Sequence, residues 1–168
     1  LGVKPDIVIV KSRSGGGSWI YMTDVIDGSV DYLLLNGTNV AADLSYGAFT
    51  SSTFQYNDNN AVTQIAYCFA EKQGYSKFGK YVGNSNADGP FIYLGFKPAF
   101  VMIKRTDQGT TYSSWAMFDN KRLGYNPTGG PQSLYANRDY AEGKRGQGSD
   151  NSQEVRIDML SNGFKVKD

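Results

Sequence analysis

Histidine is absent from all 168 residues. With it go the usual general base near neutral pH and the commonest metal ligand. The familiar nucleophilic triads, which depend on that imidazole, go too. Cysteine occurs once, as Cys68, so no intrachain disulfide can form. Its setting, Ile65-Ala66-Tyr67-Cys68-Phe69-Ala70, reads as that of a small buried hydrophobe rather than a reactive thiol. No run of about 18 apolar residues is present, so no membrane-crossing helix and no membrane insertion are expected. Net charge is scarce as well: at +1 there is no basic excess of the kind a dedicated nucleic-acid binder carries. Helical periodicity is the last absence. No long window sets apolar residues at i, i+3, i+4 and i+7 behind a cap, and only a short helix near Asn39–Ala48 is conceivable.

The chain is instead rich in aromatics and glycine, with 12 Tyr, 9 Phe, 2 Trp and 20 Gly. Aromatics favour strands, and glycine supplies the positive-φ turns between them. Hydrophobic residues at 40% and charged residues at 20% make the chain globular rather than disordered.

An internal repeat organises the sequence. Residues 1–11 read LGVKPDIVIVK and residues 94–104 read LGFKPAFVMIK. Each is followed by a polar turn and a Ser-Trp pair, Ser18-Trp19 and Ser114-Trp115. Tyr32–Asn36 then answers to Ser133–Asn137, and Ser51–Phe54 to Ser161–Phe164. Preserved order with growing spacing is what duplication followed by loop insertion leaves. Each Lys-Pro pair opens a strand, at Ile7–Val10 and Phe100–Ile103, whose continuous apolar character suits burial on both faces. Further strands are expected at Trp19–Met22, Tyr32–Leu35, Phe54–Tyr56, Lys77–Val82 and Trp115–Phe118, with Val62–Ala70 more strand-like than helical. The polar stretch Asp139–Ser152 reads as an exposed loop. The fold class expected is all-β: two tandem related antiparallel β-sandwich (jelly-roll-like) units, residues 1–73 and 74–168, both ends cut from something longer.

Catalytic signals are weak. Asp24, Asp27 and Asp31, or Asp43, Asp58 and Glu71, could furnish a carboxylate pair for glycoside hydrolysis. Carboxylates in Gly/Asn-rich turns more often bond local backbone. Asn57-Asp58-Asn59-Asn60 offers oxygen donors but reads as hairpin-loop residues, and Gly15-Gly16-Gly17 lacks the ending of a phosphate loop. No metal and no cofactor are expected. Binding is the better prospect. Trp115, Asp119, Asn120, Arg122 and Tyr125 combine aromatic faces with planar polar groups, the design by which sites hold a sugar. Against this, Trp19 occupies the position matching Trp115, which suggests that both are repeated core residues.

The strings GVKPDIVIVKSRS, SWIYM, YLLLN, AYCFAEKQGYSKFGKYVGN, ADGPFIYLGFKPAFVMIKRTD and SNGFKVKD together resemble a repeat domain of unknown function found in bacteriophage tail-fibre-like and other virion-associated proteins. That resemblance spans nearly the whole chain. It implies a non-enzymatic, virion-exposed module contributing to attachment to a host glycan or surface protein, assembled with other virion subunits, as a trimer where fibres trimerise. It also implies that flanking strands missing from each copy come from neighbouring sequence or neighbouring chains. The rival expectations are a structural spacer or decoration domain of the virion and, behind both, a polysaccharide depolymerase.

Overall fold

The computed structural model describes residues 1–45, 47–57, 62–110, 112–122, 133–140 and 156–167. Every regular element among them is a strand, and every strand pairing is antiparallel, so the chain is all-β. The chain divides into two compact units, Leu1–Lys80 and Tyr81–Asp168.

Unit 1 holds β1 (Ile7–Ser12), β2 (Ile20–Thr23), β3 (Asp31–Leu34), β4 (Ala42–Asp43) and β5 (Gln64–Phe69) in one sheet of order β4-β3-β2-β1-β5. β1 is the centre. Val8 faces Met22 on one side and Cys68 on the other, which fixes the alternation of all three strands. Val8, Val10 and Met22 on that face form a core with Val30 and Phe49. Each such side chain, fully buried, contributes roughly 1.5–3 kcal/mol. The layer over this face is coil. Leu44, Phe54 and Tyr56 lie against the core without joining a ladder.

Several local expectations are corrected here. Phe54–Tyr56 is not a strand. The turn before it is closed on itself, with Thr53 N donating to Thr50 Oγ1 (2.9 Å) and Thr50 N to Thr53 O (2.9 Å), so Phe54 and Tyr56 are partly buried from coil. The described residues of Asn39–Ala48 form no helix, and Ala42–Asp43 pairs with β3 instead. Lys77–Val82 is coil too. Its backbone is diverted to a side chain, with Phe78 N donating to Glu71 Oε1 (3.0 Å). Val62–Ala70 does contain a strand, β5, but Cys68 is exposed rather than buried. Among the described residues β5 is the last strand of its sheet, and Ile65–Phe69 are exposed.

Unit 2 holds β6 (Asp88–Tyr93), β7 (Phe100–Ile103), β8 (Ala116–Asp119), β9 (Leu134–Tyr135), β10 (Arg156–Leu160) and β11 (Gly163–Lys167). They form two three-stranded sheets, β7-β8-β9 and β10-β11-β6. Both supply one core: Val101, Ala116 and Phe118 from the first, Ile157, Met159 and Phe164 from the second. The outward residue Phe100 is 56% exposed, so β7 is not buried on both faces as its apolar run suggested. At Gly163 a Cβ would lie 2.1 Å from the Ile92 carbonyl oxygen, and at Gly89 one would lie 2.6 Å from that of Val166. Only glycine permits β6 and β11 to approach this closely.

One hydrogen-bond arrangement occurs in both units. Trp19 N donates to Asn36 Oδ1 (2.9 Å) while Leu35 N donates to Trp19 O (2.9 Å). Trp115 N donates to Asn137 Oδ1 (2.9 Å) while Ala136 N donates to Trp115 O (3.3 Å). The Ser-Trp strings thus mark a shared backbone junction, whatever the indole rings then do.

Candidate functional site

Among the described residues singled out in unit 2, Asp119 and Arg122 are engaged with one another. Asp119, Asn120 and Arg122 gather at the end of β8. There Asp119 Oδ2 accepts from Arg122 Nε (2.8 Å) and Nη2 (2.5 Å), and Asp119 Oδ1 accepts from Lys121 N (2.9 Å) and Arg122 N (3.2 Å). These bonds, that to Arg122 foremost, hold the Asp119 carboxyl below its ordinary range. The pair is engaged in closing a turn. Asn120 N meanwhile donates to Ala99 O (3.1 Å), tying that turn to the residue before β7. Trp115 is 3% exposed, which suits the packing reading of this residue over the stacking one. Tyr125 lies outside the described residues.

An open aromatic surface lies in unit 1, where the sequence suggested core. Trp19 is 37% exposed, so the core reading does not hold for it. Its ring stacks on Tyr67 with centroids 6.5 Å apart and planes 24° from parallel. The sheet register explains the meeting. Tyr67 pairs with Ile9 and Ile65 with Lys11, and Lys11 stands one residue beyond Val10, whose partner Ile20 directly follows Trp19. Ile65, Tyr67 and Phe69, alternate residues of β5, are 37%, 43% and 45% exposed. Together with Trp19 they leave an apolar, largely aromatic strip on one face of an edge strand. Nothing in the string AYCFAE distinguishes an open strand from a covered one, which is why sequence reasoning missed it.

A second cluster is acidic. Gly28, at φ +104°, turns the chain after β2, with Gly28 N donating to Asp24 O (3.1 Å). Asp27 in that turn accepts from Ser29 N (2.9 Å) and Ser29 Oγ (2.7 Å). Asp31 opens β3, and the β3–β4 register sets it directly opposite Asp43. One carboxylate oxygen from each of Asp27, Asp31 and Asp43 lies within 4.8 Å of the other two. Ser29 Oγ also reaches Asp43 Oδ1 at 3.2 Å. Asp27 and Asp43 are exposed, but Asp31 is 3% exposed and its Oδ2 is buried with no hydrogen-bond partner. Burial, then the Asp27 charge and the contact with Asp43, push the Asp31 carboxyl up to about 6. The Asp27 carboxyl is lowered, first by the Ser29 hydroxyl and more weakly by the Lys80 ammonium. A cavity of 280 Å³, bordered by Asp24, Gly28, Ser29, Leu44 and Phe49, lies alongside. Asp31, 3% exposed, is the buried member of the three, behind the exposed Asp27 and Asp43. Of the carboxylates considered from the sequence, Asp27, Asp31 and Asp43 are thus brought together. Asp24 instead pairs with Lys4 and Glu71 with Lys77, and Asp58 lies outside the described residues.

Residues 1–168 match the family described as a Domain of unknown function (DUF7483). The chain belongs to this family. No curated protein and no solved structure matches it. The family description itself names no activity.

Proposed function

We propose that this DUF7483 chain is a non-catalytic module of a bacteriophage tail fibre or related virion adhesin, and that it contributes to attachment to a host-surface glycan or protein. The virion setting rests on the family resemblance of its sequence strings. The observation that carries the binding role is the exposed Trp19–Tyr67 stack beside Ile65. Aromatic faces of this kind take up the C–H faces of sugar rings, and the Lys11 ammonium nearby could serve the hydroxyls or an acidic sugar. We read the two units as diverged copies of one sandwich, each contributing scaffold, with the ligand surface in the first. Other virion subunits, in a trimer or another homo-oligomer, are the implied assembly partners.

A second reading, a structural spacer of the virion, is favoured by the same strand in a different way. Among the described residues β5 pairs only with β1, and an open edge flanked by exposed Ile65, Tyr67 and Phe69 suits packing against another subunit. The deciding experiment measures binding of the folded domain to a panel of bacterial cells and surface polysaccharides, beside Trp19→Ala, Tyr67→Ala and Arg122→Ala. Saturable binding to some surfaces, cut at least about tenfold by Trp19→Ala and unchanged by Arg122→Ala, supports attachment through unit 1; tenfold corresponds to about 1.4 kcal/mol. Binding to no surface, with self-association that Tyr67→Ala abolishes, would replace attachment by the spacer.

A further inference from the structure

We propose that Asp27, Asp31 and Asp43 form a calcium-class divalent cation site in unit 1. Two independent observations carry it. The first is geometric. Three carboxylate oxygens within 4.8 Å of one another fit around a single ion at the 2.3–2.6 Å distances of calcium–oxygen coordination. The second is the state of Asp31. Its residue is 97% buried and Oδ2 meets no donor, yet it stands opposite Asp43 in an antiparallel ladder. Like charges set directly opposite destabilise a sheet, and an unpaired buried carboxylate oxygen costs more again. A cation between the three oxygens removes both penalties at once.

The donor set selects the ion. Every group offered is a hard oxygen, with the Ser29 hydroxyl between Asp27 and Asp43, and the chain contains no imidazole. That suits calcium over zinc or copper. Asp27 sits in a turn and Asp43 on a two-residue strand, so the site can accept calcium's flexible geometry better than magnesium's strict octahedron. Water must complete the shell, and the exposed side of Asp27 and Asp43 admits it. With three protein carboxylates and the Lys80 ammonium in range of Asp27, the affinity expected is that of extracellular calcium modules, about 10⁻⁴–10⁻³ M. The ion would pin the turn after β2 to the β3–β4 edge. The inference stands apart from the attachment reading, since a spacer would gain the same clamp.

The test uses the whole chain after chelator treatment, titrated with calcium chloride by calorimetry and by thermal unfolding, with magnesium chloride in parallel. The expected result is one calcium bound per chain, a rise in Tm with calcium, and a smaller response to magnesium. Asp31→Asn should weaken calcium binding at least about tenfold. The same variant should leave the metal-free protein as stable as the parent or more so, since it removes a buried charge, and Asp43→Asn provides a second variant at an exposed position. Two results overturn the proposal. One is no heat and no Tm change up to about 10 mM calcium, well above the weakest sites of this class. The other is undiminished calcium binding by both variants. Failure of the wild type to bind, with Asp31→Asn raising Tm, would mean that the carboxylates share a proton instead.

Discussion

Trp19 and Trp115 hang from the same backbone junction and meet opposite fates. In both, the tryptophan N–H is held by an asparagine side chain at 2.9 Å and the tryptophan carbonyl by the residue before that asparagine. Trp115 is then buried to 3% exposure, while Trp19 stays at 37% and stacks on Tyr67 of β5. The strand ends differ similarly. β2 finishes on Thr23, buried and donating through Oγ1 to Asp6 O (2.8 Å), whereas β8 finishes on Asp119, paired with Arg122. Repetition therefore fixes the junction and leaves each side chain's surroundings open, so identical strings cannot be assigned identical roles.

The sharpest way to break this comparison is to remove the two indoles. Trp115→Ala should cost about 3–5 kcal/mol, and Trp19→Ala about 0.5–1.5 kcal/mol, the worth of an aromatic pair near solvent. Denaturant unfolding of the two variants measures both, and equal losses would mean that the rings share one environment after all. The strand ends come next. Thr23→Val leaves the Asp6 carbonyl without its partner and should cost about 1–3 kcal/mol at any salt concentration. Asp119→Asn weakens a partly buried i,i+3 pair by about 1 kcal/mol, and high salt should shrink that loss further. A third contrast concerns the lysines that close the repeated strings. Lys11 Nζ donates to Ser12 O, and Lys104 Nζ to Arg105 O. Partial burial brings the Lys104 ammonium down to about 8 from 10.5. The unfolded chain then holds the proton more tightly than the folded one between those values, so stability should rise as pH climbs from 8 to 10.5. Screening keeps the gain below about 1 kcal/mol. Lys104→Gln should flatten that part of the stability-against-pH curve, and a curve it leaves unaltered would remove Lys104 as the cause.

The sequence made the strand-forming parts of the fold legible because they are local. The Lys-Pro strings, the Ser-Trp pairs and the apolar runs lead to β1, β2, β7 and β8 within a residue or two at each end. Lys77–Val82 and Phe54–Tyr56 misled because their side chains look strand-like while their surroundings satisfy the backbone through Glu71 and through the Thr50–Thr53 turn. The acidic cluster was legible only as separate turn residues. Its assembly depends on the register that sets Asp31 against Asp43, and no spacing along the chain states that register. Exposure was the least legible property. Cys68 and Tyr67 sit in a string that would suit an interior strand, and the edge position of β5 is a fact of topology alone.

The two glycines wedged between β6 and β11 bear on how further members of this family should be sought. Gly163 and Gly89 have no room for a methyl group, because the neighbouring strand's carbonyl oxygen already occupies the space. Strings such as SNGF and DGPF therefore mark a close strand approach that sterics alone reserves for glycine. Exposed positions such as Trp19, Tyr67 and Ile65 carry no comparable steric constraint. A survey that anchors on the glycines and reads the spread of residues at those three positions would separate what the fold demands from what the surface leaves free.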